Sequence, residues 1–184
     1  MVDAGYFIAV VGASGVGKDT ILDGVKSKIN HRDDFHFTQR FITRPQNAGG
    51  EDHIPLSVGE FKSQQQQGNF ALWWAAHSLF YGLPKNILPK LNQGQNVIAN
   101  ISRKSVADAA HIFNKILVIE ITASSGVINQ RLRARGRETQ AEISKRQARQ
   151  VHDWAGSQKI ISVLNDAEPQ YAINRFVDIS LGLA

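Results

Sequence analysis

The stretch YFIAVVGASGVGKDT, Tyr6 to Thr20, decides how the rest of the chain is read. Its first six residues form a short apolar run of the kind that makes a strand buried on both faces. A glycine-rich turn follows, and then Ile21, Leu22, Val25 and Ile29 recur on one side of a helix while Lys26 and Lys28 fall elsewhere. Strand, glycine turn and helix come in the order that a phosphate-binding loop requires. Gly12, Gly17 and Lys18 complete the pattern G-x-x-x-x-G-K, but the next position, which calls for a Ser or Thr hydroxyl, holds Asp19.

The chemistry of such a loop is main-chain chemistry. Residues Gly12, Ala13, Ser14, Gly15, Val16, Gly17, Lys18, Asp19 and Thr20 would wrap their N–H groups around phosphate oxygens. The helix that begins near Lys18 adds its positive end, and the Lys18 ammonium reaches the outer phosphates. A structural glycine turn is the alternative. The strand before the loop and the amphipathic helix after it favour the nucleotide site.

Outward from the loop, strands are expected at Asn96 to Ile101, Ile116 to Ile121 and Ile160 to Leu164. Helices are expected over Lys104 to Phe113 and from Val127 to about Trp154, broken near Gly136. Asp166-Ala167-Glu168-Pro169 reads as a further helix start. Strands alternating with helices predict an α/β fold with a central parallel sheet and right-handed crossovers. Between the first helix and Asn96 the alternation stops. Residues 36 to 60 are rich in Thr, Arg, Pro, Gly and Asp, and Phe61 to Gln67 reads as a short polar helix closed by Gly68-Asn69. So long an excursion predicts an inserted lobe, about 36–95, within one domain of 184 residues.

Composition narrows the function classes. The chain is 42% hydrophobic and 20% charged, an ordinary balance for a soluble domain, and its formal charge of +5 favours anionic partners. The basic residues between Arg131 and Arg149 are interspersed with other types, and no motif combines aromatic and basic residues as nucleic-acid binders do. Trp73-Trp74 sit in an apolar stretch and read as core. Cysteine is absent, which removes disulfides and thiolate metal sites. No apolar run approaches the roughly 20 residues of a membrane span, and no basic segment precedes the first one. These features predict a cytoplasmic chain that binds neither nucleic acid nor membrane.

Beyond the loop, Thr43-Arg44-Pro45, Glu60-Phe61, Tyr81-Gly82, Arg131 to Gly136 (RLRARG) and Lys145-Arg146 occur in the order and spacing of guanylate kinases. The chain resembles that family over nearly its whole length. The resemblance implies a P-loop kinase: a three-layer core, an acceptor-binding insert and an Arg-bearing lid, about 124–150, that closes over ATP. It implies that Lys18, Arg135 and Arg146 stabilise the transferring phosphoryl group and that Arg44 and Tyr81 hold the acceptor. Phosphoryl transfer depends on positioning and charge neutralisation, which such residues supply.

The resemblance breaks where guanine is read. A small hydroxyl, a Glu and an Asp serve that purpose in guanylate kinases, and Arg40, Leu72 and Ser102 stand in their places here. His53 takes the place of a Tyr that contacts the acceptor phosphate. An added guanidinium suits an acceptor with a second phosphate. Gly17-Lys18-Asp19 and Arg40-Phe41-Ile42-Thr43-Arg44-Pro45 instead resemble ribose 1,5-bisphosphate phosphokinases. That resemblance implies ATP as donor, a small phosphorylated sugar as acceptor, 5-phosphoribosyl 1-diphosphate as product, and a place in phosphonate use. Arg40, Arg44, His53, Tyr81 and Ser102 are the candidate substrate contacts. Asp19 and Thr20 are candidates for Mg²⁺, with stabilisation of the helix N-terminus the alternative for Asp19. A guanylate kinase proper and a non-catalytic binding module of the same fold are the competing readings.

Overall fold

The computed structural model describes residues 3–46, 51–135 and 159–183. Strand β1 (Phe7–Val11) lies at the centre of a five-stranded, wholly parallel sheet, and all five of its residues are buried. Its neighbours are β7 (Asn96–Asn100) and β8 (Ile116–Thr122), with β2 (Phe35–Phe37) outside β7 and β9 (Lys159–Leu164) outside β8. Side chains alternate along β1 and so feed two cores. Ile8 and Val10 join Ile21, Val25 and Ile29 of α1 (Lys18–Ile29) and Ala172, Ile173 and Phe176 of the last helix. Phe7, Ala9 and Val11 join Leu72, Trp74, Leu83, Ile87, Val106 and Phe113 on the other face, where Phe7 stacks on Phe113 with centroids 3.9 Å apart. The result is the expected three-layer α/β architecture.

The central strands form close to their predicted bounds because each is a short apolar run that parallel pairing can bury. The last helix, Pro169–Leu181, starts with Pro in its first turn, as its sequence indicates. The segment expected as one helix over Lys104 to Phe113 opens instead with a 3-10 turn, Arg103–Ser105, before α4 (Val106–Ile112). The Ser102 hydroxyl accepts the Lys104 N–H at 3.3 Å and sets that tighter turn. Helix α5 covers Ser125–Arg135. The rest of the predicted helix to Trp154 lies outside the described residues.

Residues 41–84 hold what periodicity missed: a second sheet, in the order β4 (Ile54–Pro55), β3 (Phe41–Ile42), β6 (Leu79–Pro84), β5 (Phe70–Ala76). Strands β5 and β6 form an antiparallel hairpin that turns at His77 and Ser78, both at positive φ, 50° and 60°. Two consecutive left-handed residues match a turn usually written Asn-Gly, so the sequence carried no turn signal. The hairpin also corrects the reading of the tryptophans. Consecutive strand residues face opposite ways, so Trp74 is buried while Trp73 is 44% exposed. Helix α2 (Val58–Gln66) starts three residues earlier than expected because Ser57 and Glu60 form a capping box. Helix α3 (Ile87–Asn92) returns the chain to β7, and the last helix is α6. Among the described residues no helix is long and apolar enough to cross a membrane.

Candidate active site

The carboxyl ends of β1, β7 and β8 converge where the strand order doubles back, the place where open parallel sheets bind ligands. The glycine loop begins there. Gly15 and Gly17 take φ of 87° and 93°, which side-chain-bearing residues avoid. A Cβ on Gly17 would also lie 2.6 Å from the Asn165 amide nitrogen. That amide, on the loop after β9, donates to the Val16 carbonyl at 2.7 Å, and Arg131 Nη1 of α5 donates to the same oxygen at 3.2 Å. The loop is thus held from outside by two residues that no local motif announces. Helix α1 starts at Lys18 with no side chain capping its first turn, so its leading N–H groups face the loop.

Lys18 is partly buried and folded back, its Nζ donating to the carbonyls of Gly12 at 2.8 Å and Ala13 at 3.0 Å. Its proton affinity is pushed down to about 8, first by burial and then by the Arg40 and Arg103 cations, while Asp19 and Glu51 act in the opposite sense. Arg40, Arg103, Asp19 and Glu51 therefore share the electrostatic space of the loop. Asp19 lies in the first turn of α1, and Thr20 beside it is exposed. A carboxylate and a hydroxyl are hard oxygen donors of the kind Mg²⁺ takes, so Asp19 and Thr20 at the phosphate loop would suit that ion.

Asp19 also lines a cleft of about 90 Å³ with Arg40, Glu51, Asp52, Lys26 and Asn100, between α1, the segment that follows β2, and β7. Within it Arg40 is held in a fork: Nε donates to Glu51 Oε2 at 3.0 Å and Nη2 pairs with Oε1. The guanidinium lies 5.0 Å from the centre of the Tyr81 ring and 5.9 Å from that of Trp74, rings that stack nearly parallel. Burial raises the Tyr81 phenol above its ordinary value, against the pull of Arg40 and Arg44, so it stays protonated as a donor. A groove of about 450 Å³ is larger, but its lining runs from Thr43 to Val58 and lies away from the phosphate loop.

The remaining candidates are dispersed. His53 is buried, with Nε2 at 3.0 Å from the Arg44 carbonyl and Nδ1 at 3.0 Å from the Glu51 carbonyl and 3.4 Å from Arg44 Nη2. Its ring thus braces the segment bearing Arg44 and Glu51. Arg44 Nε is buried without a hydrogen-bond partner among the described residues. The Ser102 hydroxyl is engaged in the 3-10 turn. Leu72 is buried in the core with Trp74 and Leu83, where a carboxylate without a partner would be costly. Arg146 and the side chain of Arg135 lie outside the described residues.

One further pair escaped the motif reading. Arg103, just after Ser102, bonds Glu120 of β8 at 2.8 Å. The signal was present: Glu120 is the lone charge in the strand Ile116–Thr122, and a charge in a buried strand needs a partner.

Comparison with known proteins agrees with this geometry. The family description "Guanylate kinase" matches residues 5–173. A guanylate kinase of known structure from Anaplasma phagocytophilum superposes with a TM-score of 0.67 over 98% of this chain and 86% of its own, at 17% identity, a likeness of fold alone. Ribose 1,5-bisphosphate phosphokinase PhnN of Rhizobium etli is 39% identical over 181 residues, 98% of this chain and 92% of that protein. A bifunctional ribose 1,5-bisphosphokinase-thymidine phosphorylase of Azorhizobium caulinodans is 42% identical over 174 residues, of which this chain spans 25% of the length. A phosphate loop in place and matches of this extent lead to one placement: the chain belongs to the guanylate kinase family, among its ribose 1,5-bisphosphate phosphokinases.

Proposed function

We propose that this protein transfers the γ-phosphoryl group of ATP to ribose 1,5-bisphosphate, yielding 5-phosphoribosyl 1-diphosphate and ADP. The near full-length match to the Rhizobium etli phosphokinase carries the reading. The site is consistent with it: Leu72, where the family resemblance expects a base-reading carboxylate, is a core residue, and the cleft carries Arg40 and Lys26 beside the carboxylates of Asp19, Asp23, Glu51 and Asp52.

In the reaction the bond between the β-γ bridging oxygen and the γ-phosphorus breaks, and a bond forms from an oxygen of the acceptor's 1-phosphate. The nucleophile is already an anion, so no general base is required. The chain's work is placement and charge neutralisation. The loop amides and Lys18 hold the donor phosphates, Arg44 and Tyr81 anchor the acceptor, and Arg135 and Arg146, as the family resemblance implies, neutralise the transferring phosphoryl group. Asp19 and Thr20 would hold Mg²⁺, which supplies charge neutralisation at the donor phosphates. Asp19→Asn raises the Mg²⁺ concentration needed for half-maximal rate if this role is right. Unchanged Mg²⁺ dependence assigns Asp19 to the helix N-terminus instead.

Product identification by phosphorus NMR, with ATP and a panel of ribose 1,5-bisphosphate, ribose 5-phosphate and GMP, tests the reading. A new diphosphate on the sugar only with the bisphosphate is expected. GDP as the sole product would return the chain to guanylate kinase proper, and no turnover of ATP with any acceptor would favour a binding module.

A further inference from the structure

Arg103 and Glu120 have no role in the site as assigned so far, yet they lie beneath it. Strand β1 runs between β7 and β8; the Ile101 N–H donates to the Val10 carbonyl at 3.0 Å, and Glu120 is in register with Val11. A guanidinium that leaves the end of β7 and meets Glu120 on β8 at 2.8 Å therefore crosses the carboxyl end of β1, where Gly12 opens the phosphate loop. Both side chains are mostly buried, at 13% and 14% exposure. Arg103 Nε is buried with no hydrogen-bond partner among the described residues. The guanidinium is thus only partly satisfied by the chain itself.

Arg40 and Arg103 are both mostly buried guanidinium groups, at 11% and 13% exposure. Glu51 and Glu120 each hold one of the arginines. An anion with several oxygens beside Arg103 would use donors that Glu120 leaves free, since a guanidinium offers a planar set of them.

We propose that Arg103 is a further catalytic residue of the transfer, its guanidinium held by Glu120 across the end of β1 and directed at the equatorial oxygens of the phosphoryl group in flight. Glu120 is its positioning residue. The proposal rests on the phosphotransferase reading for the presence of that group, but not on the identity of the acceptor.

The test compares Arg103→Gln with the double variant Arg103→Met/Glu120→Met. Both are measured for kcat, for folding by denaturation, and for affinity toward ADP alone and ADP with aluminium fluoride, a mimic of the transferring group. A buried ion pair replaced by apolar residues of similar volume usually keeps the fold, so the double variant separates a strut from a catalyst. Arg103→Gln is expected to lower kcat by ~10²–10³-fold and the affinity for the aluminium fluoride complex comparably, with ADP binding changed by less than ~3-fold. The folded double variant is expected to stay equally slow. Recovery of kcat to within ~10-fold of wild type in the double variant would make the pair a structural strut and overturn the proposal. Equal weakening of ADP and of the mimic would overturn it too, since the contact would then be made in the ground state. If the wild-type protein fails to phosphorylate ribose 1,5-bisphosphate, the acceptor assignment fails, and the ADP titrations still decide the role of Arg103.

Discussion

The phosphate loop and the proposed acceptor cleft both hold cations, but the two regions are built differently. The loop is made of main chain: nine contiguous residues, two glycines at positive φ, and a helix start left uncapped. Its cation Lys18 has carbonyl oxygens for hydrogen-bond partners and is partly buried between Arg40 and Arg103, which oppose its charge, and Asp19 and Glu51, which favour it. The cleft is lined by side chains from several segments, Asp19 and Lys26 of α1, Arg40 paired with Glu51, and Asn100 of β7, with Tyr81 of the hairpin against the Arg40 guanidinium. There Arg40 already has its anion. Donor binding adds negative charge beside Lys18, whereas acceptor binding must accommodate an ion pair already formed.

The contrast is sharpened by a matched pair of variants. Lys18→Met is expected to reduce kcat by ~10²–10³-fold, as loss of a donor to the transferring group does. Arg44→Ala is expected to raise the acceptor KM by ~10–100-fold, the value of a charge-assisted hydrogen bond, with the KM for ATP changed little. Steady-state kinetics with each substrate varied separate the two; a common loss in both constants would mean that the regions are not independent.

Stability tests the claim that the cleft neutralises itself. Arg40→Ala leaves Glu51 mostly buried without its fork and is expected to cost about 3 kcal/mol in urea denaturation, as breaking a buried pair does. Arg40→Ala combined with Glu51→Gln should recover part of that loss. Equal destabilisation in the single and double variants would show that packing on Tyr81 and Trp74, not the ion pair, carries the effect.

The smallest effect concerns pH at the loop. Burial pushes the Lys18 ammonium down to about 8 in the free chain, and a bound phosphate would favour its protonated form. Nucleotide binding above pH 8 should therefore take up protons, and affinity should weaken by at most about tenfold per pH unit there. Calorimetry in buffers of different ionisation enthalpy reads the uptake directly. The sign for folding follows from the same shift. The burial penalty on Lys18 is complete below about pH 8 and fades as the unfolded chain also deprotonates, so the stability advantage of Lys18→Met should be largest at neutral pH and shrink above pH 8.

The same contrast explains what the sequence revealed. The loop, β1, β7, β8 and β9 were legible because short apolar runs and a nine-residue motif are local signals. The hairpin was not, since His77-Ser78 adopts a turn conformation that its residue types do not advertise. Arg40 stood out as an added cation, but its partner lies 11 residues away across a loop, and Glu51 had no pattern to mark it. Asn165, which fixes the loop from 149 residues away, is visible only in three dimensions. Local chemistry was readable; pairs formed by the tertiary fold were not.

The central claim is that the chain kept the donor site of a nucleotide kinase and replaced base reading with recognition of a sugar bisphosphate. The ratio of kcat/KM for ribose 1,5-bisphosphate to that for GMP, measured by ADP release under one set of conditions, tests it most directly. A ratio of at least ~10⁴ is expected, the scale on which a lost polar readout discriminates. A ratio of one or below would contradict it.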